Sequence, residues 1–517
     1  MTDQKPMVVI GAGHNGLVAA AYLARAGRKV VVLESRADVG GAASTHEFFP
    51  EFRVSSVAHL TSLLDPFLYK DLRLARHGLV FSKTHLKTVA LDTRREALVF
   101  DQAHIVAGEL SEGDRLAFAP FMLRMQRFAQ LLGRQHGRVP PRLHWDQWRD
   151  AWPAARFGFD VRRLGRDDMR EFLRVVTMAI QDVLDEEFSS DQLKGALALD
   201  ALLGTKLGSR SGNTVFSYLH RCSGQSRLGT ALPQGGVGAI TQALASAALE
   251  AGAEIRLNTT VSGLQVTAGA VTAVMLGSGE QIAVSAVLSS LDPKTTLLRL
   301  LGARHLDTEL AQRVQHFRSV GTTAKLHIAL SGLPQFTGVQ FAHVGERLVI
   351  CPSSLYADEA FNPAKYQRYS EQPMMELSLP TVYDSTLAPS GRHVLSAIVQ
   401  YAPYDVVGGW TAARAPFEAV IMQVLERYAP GIGSLVLGTE LLTPVDLEER
   451  FGMTGGHWHH GELSMDQALM MRPVHGIAQY QMPVKGLLLC GAGAHPGGGV
   501  MGTAGRNAAR VALKGLL

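Results

Sequence analysis

The first apolar run of the chain, Met7-Val-Val-Ile10, has no polar break and predicts a short strand buried on both faces. The glycine turn Gly11-Ala-Gly-His-Asn-Gly16 follows it, and the Ala-rich stretch Leu17–Ala26 predicts a helix stopped by Gly27. Lys29-Val-Val-Val-Leu-Glu34 predicts the next strand. Strand, turn, helix and strand in such quick succession make a right-handed βαβ unit with parallel strands.

Farther along the period changes. Ser111-Glu-Gly-Asp114 reads as a capping box with Asp in place of Glu, ahead of a helical period that runs to about Gly133. Asp167–Glu187 also carries apolar residues at helical spacing, so residues 100–200 read as mostly helical. Pro233-Gln-Gly-Gly-Val-Gly238 introduces a second Ala-rich helix ending at Gly252. Strands are predicted at Ala253–Leu257, Thr260–Val266, Ala270–Leu276 and Gln281–Leu288, the last two joined by a turn at Gly277-Ser-Gly279. Alternation at Thr322–Leu330, Arg347–Cys351, Met374–Leu379 and His393–Tyr401 predicts a second sheet. A last strand, Gly486–Cys490, meets a glycine-rich turn and a terminal helix from about Gly499 to Leu517.

The fold class expected is therefore α/β: a Rossmann domain for a dinucleotide, with a discontinuous substrate domain of mixed sheet and helices. Residues 1–70, 225–300 and 480–517 are expected in the cofactor domain, and residues 71–224 and 301–479 in the substrate domain. A chain of 517 residues is too long for one ordinary core, which agrees with this division.

Composition narrows the function classes. A net charge of +4 without a basic block argues against a nucleic-acid binder. None of the three cysteines (Cys222, Cys351, Cys490) forms a C-x-x-C pair, which argues against a zinc ribbon or a redox dithiol and suits a reducing compartment. There is no apolar run of the roughly 18–20 residues that span a bilayer. A cytoplasmic location is expected, with peripheral membrane contact left open.

The candidate chemistry starts in the glycine turn. Gly11 permits a tight turn, Gly13 lets a pyrophosphate approach the backbone, and Gly16 lets helix and strand pack closely. His14 and Asn15 lie inside that turn. The helix N-terminus behind it offers free N–H groups to a diphosphate. Glu34 ends the second strand, where a carboxylate accepts both ribose hydroxyls and repels a 2′-phosphate. Ser35, Arg36, Gly40, Gly41, Ala42 and Ala43 follow at once, and the glycine pair lets the chain fold back over a diphosphate and ribityl chain. That extension favours FAD over NAD.

Gly11–Gly16, Glu34 and Gly40-Gly41 resemble the glutathione-reductase-type FAD-binding Rossmann fold and, within it, the phytoene desaturase and amine oxidase branch. The C-terminal run from Gly486 to Gly502, with Ala494-His-Pro-Gly-Gly-Gly499, is similar to the phytoene-desaturase signature. Gly455-Gly456, His460-Gly461, Ser464, Asp466-Gln467, Met471-Arg-Pro473 and Gly505-Arg-Asn507 resemble the subgroup called pyridine nucleotide-disulfide oxidoreductase domain-containing protein 2. The resemblance implies an FAD-dependent oxidoreductase of dehydrogenase or desaturase type, which moves a hydride from a C–H bond of a hydrophobic substrate onto flavin N5. O₂ or a quinone would reoxidise the flavin. It further implies that Gly491 and Gly493 lie along the ribityl–diphosphate chain. The N–H groups of Val500 and Met501, in a helix starting near Gly499, would face the flavin pyrimidine edge. Val261 would clamp the adenine, and His59 would lie beside the flavin.

Two departures stand out. Ala42 occupies a position where many relatives carry Arg, and the chain has neither a C-x₄-C disulfide nor, outside the C-terminal run at Gly497–Gly502, a second Gly-x-Gly-x-x-Gly for NADPH, which argues against a disulfide reductase. Among His457-Trp-His-His460, His460 is the candidate proton acceptor, against a purely structural role in a turn. That cluster lacks a matching distant pair of ligands, so no metal site is expected. An amine oxidase, a redox-neutral isomerase or a flavin-bound interaction protein are the alternatives.

Overall fold

A computed structural model of the chain describes residues 5–142, 148–224 and 229–515. The expected boundaries at residues 1, 225 and 517 lie outside the described residues.

A five-stranded parallel sheet has the order Glu254–Arg256, Val30–Leu33, Met7–Ile10, Ala286–Ser289, Leu487–Leu489. Its strands thus come from three distant stretches of chain. All but the Glu254–Arg256 edge strand are buried at every residue, which explains their unbroken apolar runs. The helix His14–Arg25 packs against the helices Gly238–Glu250 and Thr503–Gly515. The stretch expected as one strand at Gln281–Leu288 is two. Gln281–Ala283 pairs antiparallel with Ala270–Leu276 in a three-stranded sheet, while Ala286–Ser289 enters the parallel sheet. The switch falls at Ser285, whose N–H donates to Pro6 O.

An eight-stranded mixed sheet forms the second layer. Its order is Val436–Leu442, Thr323–Leu330, His393–Gln400, Met375–Ser378, Arg347–Ile350, Thr88–Ala90, Leu98–Phe100, Ile105–Ala107. Four of these strands match the predicted alternation. The three strands between Thr88 and Ala107 do not appear in the sequence pattern, because three residues are too few to display a period of two. One face of the sheet packs Leu326, Ile328 and Leu377 against Phe417, Ile421 and Leu425 of the helix Trp410–Tyr428.

The helix Glu112–His136 is capped by Ser111, whose Oγ accepts from Asp114 N–H at 3.1 Å. Asp114 does not complete the expected box. Its carboxylate accepts from the N–H groups of Ser189 and Ser190 at 2.7 and 2.9 Å, joining two helices instead. Phe118, Phe121, Met125 and Phe128 of this helix are core residues. The predicted run Asp167–Glu187 breaks into the helices Arg166–Val175 and Ile180–Glu187, the second anchored where Ile180 N–H donates to Thr214 Oγ1. Among the described residues no helix is long and apolar enough to cross a membrane.

Candidate functional site

Two hollows meet between the layers. A cleft runs over the first glycine turn, and a cavity lies against the eight-stranded sheet. His14, Ala42, Trp458 and Ala492 line both, so the two are immediate neighbours.

The cleft is built by the βαβ unit. Gly11 has φ +89°, and a Cβ on Gly16 would stand 2.1 Å from Gly11 O, so the turn and helix meet backbone to backbone. Glu34 sits at the end of its strand, where its carboxylate accepts from Ala12 N–H at 2.7 Å and Arg36 N–H at 3.0 Å. Gly40 N–H donates to Ala12 O, which brings Gly40, Gly41 and Ala42 back over the turn. Gly11, Gly13, His14, Asn15, Glu34, Ser35, Arg36, Gly40, Gly41, Ala42 and Val261 all line the cleft. His14 Nε2 and Asn15 Oδ1 are buried without a hydrogen-bond partner. Those free polar atoms, in a cradle of bare backbone, suit the phosphate and sugar oxygens of a dinucleotide.

Ala43, His59, Gly499 and Val500 line the cavity. Gly16, Gly491 and Gly493 line neither hollow. A Cβ on Gly491 would meet Ser290 O at 2.1 Å and one on Gly493 would meet Pro293, so these glycines serve close packing, and Ala492 between them reaches both hollows. The terminal helix starts at Thr503, not near Gly499, because Gly499, Val500 and Gly502 all have positive φ. Met501 faces a neighbouring groove beside Leu63.

The histidine cluster divides. His460 lines the cleft near His14, with Nδ1 buried and unpartnered, whereas His459 lines the cavity. A Cβ on Gly498 would stand 2.3 Å from His459 Nδ1, so the glycine loop lies directly on that ring. Burial lowers the His14 and His220 imidazoles to about 4 and keeps His459 well below its ordinary value. His495 donates from Nε2 to Gln135 O at 3.0 Å and holds its loop.

The cavity floor is the second face of the eight-stranded sheet. Lys325, Ile398 and Glu376 lie in one cross-strand row, and His327, Ser396 and Ser378 in the next. The floor is polar yet buried: Lys325, His327, Glu376 and Ser396 are at most 1% exposed. Arg347 donates to Asp200 at 2.5 and 3.1 Å and to Glu376 at 2.5 Å. Arg221 donates to Asp200 at 2.8 Å and also reaches Glu376. Two guanidinium groups thus balance two carboxylates. Burial alone would raise the Glu376 carboxyl, but Arg221 and Arg347 outweigh it and hold Glu376 well below the usual carboxylate range.

Lys325 stands outside that balance. Its Nζ donates to His59 Nδ1 at 2.7 Å, and His59 Nε2 donates to Glu376 Oε1 at 3.2 Å. Burial pushes the Lys325 amine well below its ordinary value, and burial with Lys325 behind it brings His59 to about 4. An uncharged imidazole, fixed in one tautomer by a carboxylate, faces the cavity. Sequence patterns missed this floor, although polar residues at every second position of Thr323-Ala-Lys-Leu-His327 are its trace. They also missed Arg472, which is fully buried and donates to the carbonyls of His459, Ala492 and Glu462 at 2.7 to 2.9 Å. Arg472 ties the histidine turn to the glycine loop, and its burial brings it down to about 9.

Comparison with known proteins agrees with this geometry. The NAD(P)-binding Rossmann-like domain family matches residues 9–69, the βαβ unit and its extension. Over 550 residues the chain is 37% identical to pyridine nucleotide-disulfide oxidoreductase domain-containing protein 2 of Rattus norvegicus, covering 98% of this chain and 93% of that protein. The chain belongs to that family. Phytoene desaturase (lycopene-forming) of Pantoea ananas is a more distant relative, 26% identical with 98% and 99% of the two chains covered. The solved structure of cyclohexylamine oxidase from Brevibacterium oxydans IH-35A shares the fold, with a TM-score of 0.60 at 16% identity and 99% of each chain covered.

Proposed function

We propose that this family member is an FAD-dependent oxidoreductase of the dehydrogenase or desaturase type, acting on a C–H bond of an apolar substrate. One observation carries the reading: the dinucleotide cleft lies directly beside a largely apolar cavity, with four residues lining both. The ADP half suits the cleft at Glu34, and the ring system suits the space between Ala42-Ala43 and Gly498–Val500. Bound FAD supplies the two-electron acceptor.

The chain's own residues do the rest. The backbone from Gly11 to Gly16 and from Gly40 to Ala43 holds the cofactor, with His14, Asn15 and His460 supplying polar contacts. Val57, Leu60, Leu63, Leu203 and Leu463 exclude water and hold an apolar substrate. His59 has both ring nitrogens engaged, Nδ1 by Lys325 and Nε2 by Glu376, so it acts as a fixed wall of the cavity that positions the substrate. The carboxylates of Asp200 and Glu376 are already paired with arginines, which disfavours an amine cation as substrate. O₂ or a quinone is the proposed final acceptor, and a cytoplasmic location agrees with the three unpaired cysteines.

Purified full-length protein is expected to carry one FAD per chain, with the flavin absorbance bleaching when a long polyene is added without oxygen. A chain that neither retains FAD nor takes it up on reconstitution overturns the reading. Bleaching by small amines but by no polyene or terpene overturns the substrate class alone.

A further inference from the structure

We infer that His46, His327 and Glu440 form a seat for a divalent transition-metal ion, for which zinc has the best-matched chemistry. The three residues come from three strands. His327 and Glu440 are direct cross-strand partners in the eight-stranded sheet, and His46 belongs to the hairpin strand Thr45–Phe49 packed over them. One ligand atom from each lies within 4.8 Å of the other two.

His46 and Glu440 are also oriented from behind, as ligands of a built metal site are. His46 Nδ1 is held by Ser56 Oγ at 2.9 Å, which leaves Nε2 facing Glu440 Oε2 at 2.7 Å. Arg450 donates to Glu440 Oε1 at 2.6 Å and leaves Oε2 free to face inward. His327 is fully buried, yet its ring nitrogens have only long contacts, 3.3 Å to Ser56 O and 3.3 Å to Ser396 Oγ. A buried imidazole held so loosely has donor capacity to spare. The Phe48 ring, 5.6 Å from His327, closes one side. The His46 and Glu440 side chains are 25% and 17% exposed, which gives an ion an entrance and a place for a water ligand.

The donor set, two imidazoles and a carboxylate with an open position, is one that zinc takes at about 2.0–2.2 Å in tetrahedral geometry. Donors around such an ion lie about 3.3 Å apart, so the His46–Glu440 contact opens by about 0.6 Å while His327 draws in. A proton on His46 now bridges the gap that the ion would fill. The ion would pin the hairpin that follows the Gly40-Gly41 turn onto the sheet that floors the cavity, fastening the cofactor side to the substrate side. This does not depend on the flavin reading.

The test uses the full chain stripped with EDTA. Zinc chloride titrated into it in a calorimeter is expected to bind one per chain, and Co²⁺ to give the visible bands of a tetrahedral site. His46→Ala and Glu440→Gln, both at partly exposed positions, are expected to weaken zinc by more than the roughly 10–100-fold loss typical of an outer-shell change, and Ser56→Ala by about that loss. His104→Ala, at an exposed histidine elsewhere, serves as the control and leaves binding unchanged. Zinc should raise the melting temperature of the parent but not of His46→Ala. The inference is overturned if the parent takes up no stoichiometric zinc, or if His46→Ala and Glu440→Gln bind it as tightly as the parent does.

Discussion

The two sheets bury their residues in opposite ways. In the five-stranded parallel sheet the central strands are apolar on both faces, and recognition falls to bare backbone at the strand ends. In the eight-stranded sheet one face is apolar and the other is a buried layer of charges and imidazoles. The first region offers a ligand peptide groups whose geometry the chain fixes. The second offers side chains whose protonation the burial fixes. On the proposed function, cofactor binding and substrate chemistry fall to different physical devices.

The largest expected effect breaks the second device. Glu376→Gln leaves Arg221 and Arg347 with one carboxylate between them, and stability should fall by about 3–5 kcal/mol in urea unfolding. Breaking the first device costs less. Gly16→Val pushes a side chain onto Gly11 O and should cost about 1–3 kcal/mol, with FAD lost from the purified protein. A stability loss of that size with full FAD content would show that the turn does not hold the cofactor.

The pH dependence sharpens the comparison. Burial lowers His14, His59, His220 and His495 to about 4. The unfolded chain therefore binds more protons than the native one between about pH 4 and 6.5. Stability is full above that window and falls as the pH drops through it. Urea midpoints across the window should show this slope, flattened by about one proton in His59→Gln.

The smallest change in stability is expected for Lys325→Met. A buried amine, which burial pushes well below its ordinary value, is replaced by a side chain of similar shape, for a change under about 1.5 kcal/mol. Flavin reduction by substrate should nevertheless slow by about 100-fold, because the His59 ring that walls the cavity loses the contact that holds it. His460→Ala should instead weaken FAD binding and leave the reduction rate of the loaded protein unchanged. A slowed reduction at full FAD content would make His460 the proton acceptor.

How much was legible in the sequence follows from how local each signal is. The βαβ unit was readable because Gly11, Gly13, Gly16 and Glu34 lie within one short stretch and each has a steric or polar reason. The return of the pattern at Gly486–Cys490 was readable for the same reason. The floor was not, because Thr323-Ala-Lys-Leu-His327 alternates like a strand with one wet face, and only the opposing layer makes that face dry. His459 and His460 are adjacent, and adjacency hides that they face different hollows. The pairing of His327 with Glu440 and the approach of His46 exist only after folding, so no spacing rule announces them.

The row of Lys325, Ile398 and Glu376 has one more consequence. Each of these residues alternates along its strand with one that holds the apolar core. The face toward the cavity and the face toward the apolar core are therefore interleaved at single-residue intervals. Glu376 and Ile398 line the cavity, and Ile398 takes no part in the charge network, so an exchange there reshapes the cavity without touching the helix packed behind the sheet. Position 398 is therefore the first to vary when the cavity of this protein is to be remodelled.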